Sequence, residues 1–320
     1  MRAGAAFVAT GIVALVLAVS PGTWAGSLEP PGPPAPTMKT MDQVEPRTPL
    51  ESVLGNVFYL HVIENPGSYY LSGDMFVPSG MHGIRIDTIG PVTIDLRGFA
   101  LVGHRDGLGE KGIVVGGVAG VPPTPLVIKN GALKNWDLSA IEAFSTGANT
   151  FQDLQIYNAA FGILAGSGNV VRHCLAHSCG NGFVLAGVGG TIVDSAANEC
   201  GTGIQVDSGG RVEGCTVHGA LDYGISVGND VLVRGNTLSQ GNGITIIGTH
   251  NTIDGNSCTG TSFCVRANPA SPATSVGNLV IRNTSIANDN DFFINGATNT
   301  VGPVTSDPAT GGPWANLTVD

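Results

Sequence analysis

The chain has 320 residues, a formal charge of −10, a charged fraction of 12% and 48 glycines. Its few Lys and Arg form none of the basic clusters that phosphate contact requires, which argues against a nucleic-acid partner. So low a charge disfavours a helical protein, and 42% apolar residues in a periodic pattern exclude disorder. What remains is an all-β chain with many tight turns, where glycine supplies the positive φ values.

Arg2 precedes an apolar run from Ala5 to Val19, which Ser20-Pro21-Gly22 breaks before the small-residue stretch Thr23-Trp24-Ala25. Residues 1–25 therefore read as a secretory signal peptide, and the product as secreted: extracellular, periplasmic or at the cell surface. No later stretch is long and apolar enough to cross a membrane. Residues 26–38 form a proline-rich spacer that cannot join a sheet ladder. Residues 39–80 lack the repeat that follows. They are read as an N-terminal cap, because an open solenoid end would expose strand edges and core.

From residue 81 to 304 one phrase recurs: Gly162-Ile163, Gly182-Phe183, Gly203-Ile204, Gly224-Ile225, Gly243-Ile244, in steps of 20, 21, 21 and 19. A second phrase keeps step with it, at Val171, Ile192, Val212, Val233 and Ile253. Two interlocked repeats near 20 residues predict a solenoid in which each repeat is one coil. The short β-branched segments suit three strands per coil, hence a right-handed parallel β-helix of about nine to ten coils. Ile84, Ile113 and Ile141 are spaced by 29 and 28, so loops must interrupt the coil at His104–Lys111 and Val118–Pro125. Another insertion, Asn268–Ser275, separates the Phe263 coil from the Phe292 coil. Leu279-Val280-Ile281 reads as the last regular strand, and 305–320 as a C-terminal tail.

The Gly-Ile-x-Val and Asn-x-Val-x-x-Asn phrases resemble the pectate-lyase-like superfamily of right-handed parallel β-helices. More narrowly, Pro66-Gly67-Ser68-Tyr69-Tyr70-Leu71-Ser72-Gly73, followed by Val92-Thr93-Ile94-Asp95-Leu96-Arg97-Gly98-Phe99, resembles the opening of exported bacterial β-helix repeat proteins of unassigned activity. The resemblance runs from about residue 40 to 304 and implies the fold. It implies no one activity, since this fold hosts lyases, hydrolases, epimerases, phage tailspikes and adhesins. The polygalacturonase set of Asn-x-Asp, Asp-Asp, Gly-His-Gly and Arg-x-Lys on successive coils is not found. The Asp-Pro-His-Asp of alginate epimerases is also absent.

If equivalent positions stack about 4.8 Å apart, columns can be read as sites. One column brings Asp153, His173 and Asp194 together, with Arg172 beside them, as candidate catalytic groups: a carboxylate on each side of an imidazole suits proton transfer or metal binding. Glu213, Arg234, Asp254 and Arg282 form an alternating charge ladder, read as a solvated face. Tyr157, His177, Asn198 and His218 form a third column whose rings and amide could stack on and hydrogen-bond a sugar. Arg85, Val114, Glu142, Leu164, Val184, Gln205, Ser226 and Thr245 line the first strand, where enzymes of the resembled superfamily place their cleft. That column is apolar in its middle, with no Lys or Arg expected near Glu142. Asp207 and Asp222 flank it as candidate ligands for a cation, Ca2+ by their oxygen chemistry.

Six cysteines in an exported chain permit disulfides. Cys179 and Cys200 each lie eight residues past their coil's apolar position, so a bond between them is expected. Cys174 and Cys215 lie two coils apart, about 9.6 Å, too far to bridge. Cys258 and Cys264 stay unassigned. The leading functional expectation is an exported β-helix that binds or scaffolds a polysaccharide or cell-surface partner. A polysaccharide lyase acting on an acidic glycan, with calcium bridging the charges, is the second; a purely structural adhesin or spacer is the third.

Overall fold

The pairing of Ile163 with Ile141 before it and Phe183 after it continues in both directions as a single internal file. The file runs His61, Ile84, Ile113, Ile141, Ile163, Phe183, Ile204, Ile225, Ile244, Val265 and Phe292, every step a parallel pairing. That makes eleven rungs rather than nine to ten. The computed structural model describes residues 47–116, 125–144, 147–267, 275–295 and 298–319. The expected signal peptide and spacer, the start of the expected cap (39–46) and most of the expected loops 118–125 and 268–275 lie outside the described residues.

Each regular coil carries three strands. Val170–Arg172, Leu175–His177 and Asn181–Val188 make one coil, and Thr191–Val193, Ala196–Asn198 and Thr202–Ser208 lie in register on it. Alternation drives one side chain of each short strand inward: Val171, Ala176, Phe183 and Leu185 are at most 0% exposed. The glycine before each file residue has a steric cause. A Cβ on Gly182 would stand 2.5 Å from the carbonyl oxygen of Gly203, and one on Gly203 would stand 2.6 Å from that of Gly224. Neighbouring coils approach too closely there for any side chain.

The corners need a left-handed residue. At the first corner φ is positive at Asn130, Asp153, His173 and Asp194, then at Gly214, Gly235 and Gly255. In the later coils the residue after this corner points into the core and forms an amide ladder. Asn236 Nδ2 donates to Asn256, Asn256 Nδ2 to Asn283, and Asn283 Nδ2 to Asn316, at 2.9, 2.9 and 3.1 Å. A second ladder, Asn251–Asn278–Asn299, occupies another corner. These amides satisfy backbone groups that the turns would otherwise bury unpaired.

Several expectations are corrected. Residues 59–63 and 67–70 of the expected cap are already coil strands, paired with His82–Ile86 and Val92–Asp95. The expected tail carries the strand Asn316–Val319, paired with Thr284–Ile286. Just ahead of the insertion Asn268–Ser275 it is Val265, not Phe263, that enters the file, and beyond that insertion Val280 stacks on Ile253. That register puts Asn283 beneath Asn256. The expected Cys179–Cys200 bridge is also absent: both thiols are free and buried, and the disulfide joins Cys258 to Cys264, with Cα atoms 5.3 Å apart. Side chains at equivalent positions of stacked strands point the same way, so their Cβ atoms keep the strand spacing of about 4.8 Å. A bridge needs about 3.8 Å.

Candidate functional site

At the first corner the turn residues project outward. His173 Nδ1 lies 3.5 Å from Asp153 Oδ1, and His173 Nε2 lies 3.9 Å from Asp194 Oδ2. All three are well exposed, His173 at 58%. The stack therefore forms as its spacing predicts. Arg172 does not join it, because its guanidinium is turned onto Gln152 of the preceding coil. The three residues border an open groove of about 600 Å³, floored by Cys174, Ser195 and Gly214 and walled by Gln155, Leu175, Ala196 and Thr216.

That wall belongs to the strands that carry the aromatic column. Tyr157, His177, Asn198 and His218 are direct neighbours in successive strands. The Tyr157 and His177 rings meet edge-on at 6.1 Å, and Lys134 Nζ stands 5.9 Å from the Tyr157 ring centre. Tyr157 donates its hydroxyl to Gln155 at 2.9 Å, His177 Nε2 lies 3.8 Å from Glu199, and His218 Nδ1 lies 3.0 Å from the Ser239 hydroxyl. Groove and column thus lie on the same strands, two residues apart, on the outer surface.

On the charge ladder, Asp254 is not solvated. Its side chain is 4% exposed and lies between Arg234 and Arg282, while Glu213 pairs with Arg211 instead. Both arginine side chains stay about half exposed, so the ladder closes over a single buried carboxylate.

The first-strand column stacks as expected, yet its opening end holds a cation that spacing alone missed. Lys111 Nζ lies 2.7 Å from Glu142 Oε1. Beside it are His82, whose Nδ1 accepts from the Lys111 N–H, and Tyr59, whose ring lies 4.9 Å from the His82 ring. Arg85 bonds the Tyr59 hydroxyl and Asp87, both at 3.4 Å. Burial, then the neighbouring Lys111, push the His82 imidazole below its ordinary value. Lys111 arrives with the loop 104–111, which interrupts the repeat, so column reading could not place it.

Asp207 and Asp222 do not make a shared cation site. Asp222 stacks on Gly201, six residues before Asp207 along the strand, which separates the two by about 20 Å. The described residues bring together a different acidic group, Asp106, Glu110 and Asp137. The sequence signal for it was Asp106-Gly107-Leu108-Gly109-Glu110, an acidic, glycine-rich stretch in the first insertion.

Among the described residues no helix is long and apolar enough to cross a membrane. A family model described as the right handed beta helix region matches residues 106–238. No curated protein and no solved structure matches the chain. The matched segment covers the regular coils, and the file extends the same winding to both sides of it. The chain is a right-handed β-helix repeat protein.

Proposed function

We propose that the protein is exported and binds a polysaccharide or cell-surface glycan along the outer face that carries the corner groove and the Tyr157–His177–Asn198–His218 column. One observation carries the reading: the strands that wall the groove also present the rings and amide, so both form one surface across four coils. Aromatic faces cover the apolar side of a sugar ring, while imidazole and amide groups reach its hydroxyls. The exposed Asp153–His173–Asp194 stack adds acceptors and a titratable donor at the groove edge. A glycan array probed with the intact chain tests the reading. Binding should fall at least tenfold in Tyr157→Ala and in His177→Ala. If the intact chain binds nothing on the array, the reading fails.

A second reading, a lyase acting on an acidic glycan, is favoured by the first-strand cluster. Burial, then Lys111, push the His82 imidazole down, and its ring lies against Tyr59, whose hydroxyl Arg85 bonds. A neutral imidazole can take a proton adjacent to a carboxylate, and a guanidinium can hold that carboxylate. Unsaturated product from uronate polymers, formed by the intact chain and lost in His82→Ala, would select this reading over the first.

A further inference from the structure

We propose that Asp106, Glu110 and Asp137 bind one calcium ion, which ties the loop 104–111 to the body of the coil. Two residues come from that loop and the third from the strand Leu126–Ala143. One ligand oxygen from each carboxylate falls within 4.8 Å of the others. Oxygens on opposite sides of a calcium ion, each at about 2.4 Å, stand about 4.8 Å apart, so the group has the span of one such ion.

The hydrogen bonds leave room for it. Asp137 Oδ2 accepts the Gly107 and Gly109 N–H groups at 2.9 Å each. Glu110 Oε1 accepts the Gly80 N–H at 2.7 Å, and Asp106 Oδ2 accepts the Ser79 hydroxyl at 2.6 Å. Every donor is neutral. The adjacent cations of the loop are engaged elsewhere, Lys111 with Glu142 and Arg105 with Asn158. Glu110 is 2% exposed, and its Oε2 is buried with no hydrogen-bond partner. A buried carboxylate oxygen without a donor is costly unless a cation or a proton meets it.

Charge and donor type select the cation. Three carboxylates gather there with only neutral hydrogen-bond donors around them, which favours a divalent cation. An all-oxygen set without His or Cys suits calcium rather than zinc, and irregular loop geometry suits calcium rather than magnesium. Bound there, the ion fixes the loop that delivers Lys111 to Glu142.

Full-length protein stripped with a chelator and dialysed should be titrated with calcium chloride by calorimetry, and its unfolding temperature measured with and without the ion. The expected result is one site and a higher unfolding temperature with calcium. Affinity should fall at least tenfold in Glu110→Gln and in Asp106→Asn; the exposed Asp106 keeps the second variant foldable. No binding heat together with an unchanged unfolding temperature overturns the proposal. So does calcium binding that both variants leave intact. A Glu110→Gln protein that is as stable without calcium as the wild type is with it would assign the place to a proton, and overturns it too.

Discussion

Asn256 sits between Asn236 and Asn283 as both acceptor and donor: its Oδ1 takes the Asn236 backbone N–H at 3.0 Å and the Asn236 Nδ2 at 2.9 Å, while its own Nδ2 reaches Asn283 Oδ1 at 2.9 Å. The residue is 1% exposed. Asn256→Leu keeps the number of side-chain heavy atoms and removes the bonds, leaving the Asn236 donors buried without an acceptor. Each orphaned group costs about 1–3 kcal/mol, so a loss of about 2–4 kcal/mol is expected. Urea unfolding followed by circular dichroism measures it. A shift of the midpoint below what 1 kcal/mol produces would show that the ladder is dispensable.

Gly182→Ala tests the close approach of the coils. The new Cβ would press on the Gly203 carbonyl at 2.5 Å and on the Ala176 and Ala197 methyl groups at 3.3 Å. Overpacking of this kind costs about 1–3 kcal/mol. At Gly73 an added Cβ meets nothing within 4 Å, so Gly73→Ala should leave the unfolding temperature within a degree or two of wild type.

His173 holds φ at 52° in a column that passes to glycine for three coils, at Gly214, Gly235 and Gly255. A left-handed backbone strains a residue with a Cβ by about 1–2 kcal/mol, and glycine repays part of that relief in chain entropy. His173→Gly should therefore be neutral or stabilising by up to about 1 kcal/mol. Glycan binding should drop in the same variant. Thermal melts and array binding run on one preparation separate the two effects, and a variant that melts lower and binds normally refutes both.

Burial pushes the Cys174 thiol up to about 12 and the Cys215 thiol up to about 11, from an ordinary value of 9.0. Their folded values lie above their unfolded ones, so this stability is intact below about pH 9 and is lost as pH rises toward 11 to 12. In that window the unfolded chain gives up protons that the folded chain keeps, at about 1.4 kcal/mol per pH unit for each thiol. Unfolding temperatures at pH 8, 9.5 and 10.5 should fall progressively, and less steeply in a Cys174→Ala, Cys215→Ala double variant. A profile equally steep in that variant would assign the loss to other groups.

Register arithmetic worked through the regular coils as far as Ile244. From Ile141 to Ile244 each glycine-hydrophobe pair took its expected place, and the Asp153, His173 and Asp194 side chains met because one αL corner repeats at that point. It slipped by two residues at Phe263, where Val265 took the file ahead of the insertion Asn268–Ser275, and past that insertion Val280 was the residue that stacked on Ile253. It could not see what an insertion does once folded: Lys111 against Glu142, and Asp106 and Glu110 against Asp137. Those contacts depend on how a loop returns to the coil, which no periodicity encodes. Column spacing likewise placed Cys179 over Cys200 but said nothing about the direction of their Cβ bonds. Cys258 takes the place of Ala176 and Ala197 in the second-strand column, and Cys264, six residues on, directly precedes the file residue Val265 as Gly182 precedes Phe183.

The eleven-rung file has a mechanical corollary. Each floor of the stack rests only on the one below and the one above, so little binds distant floors to one another. Pulled from its C-terminal end, such a rod should peel in successive small steps, each paying out one winding of the polymer. A globular core of the same mass would instead give way in a single rupture.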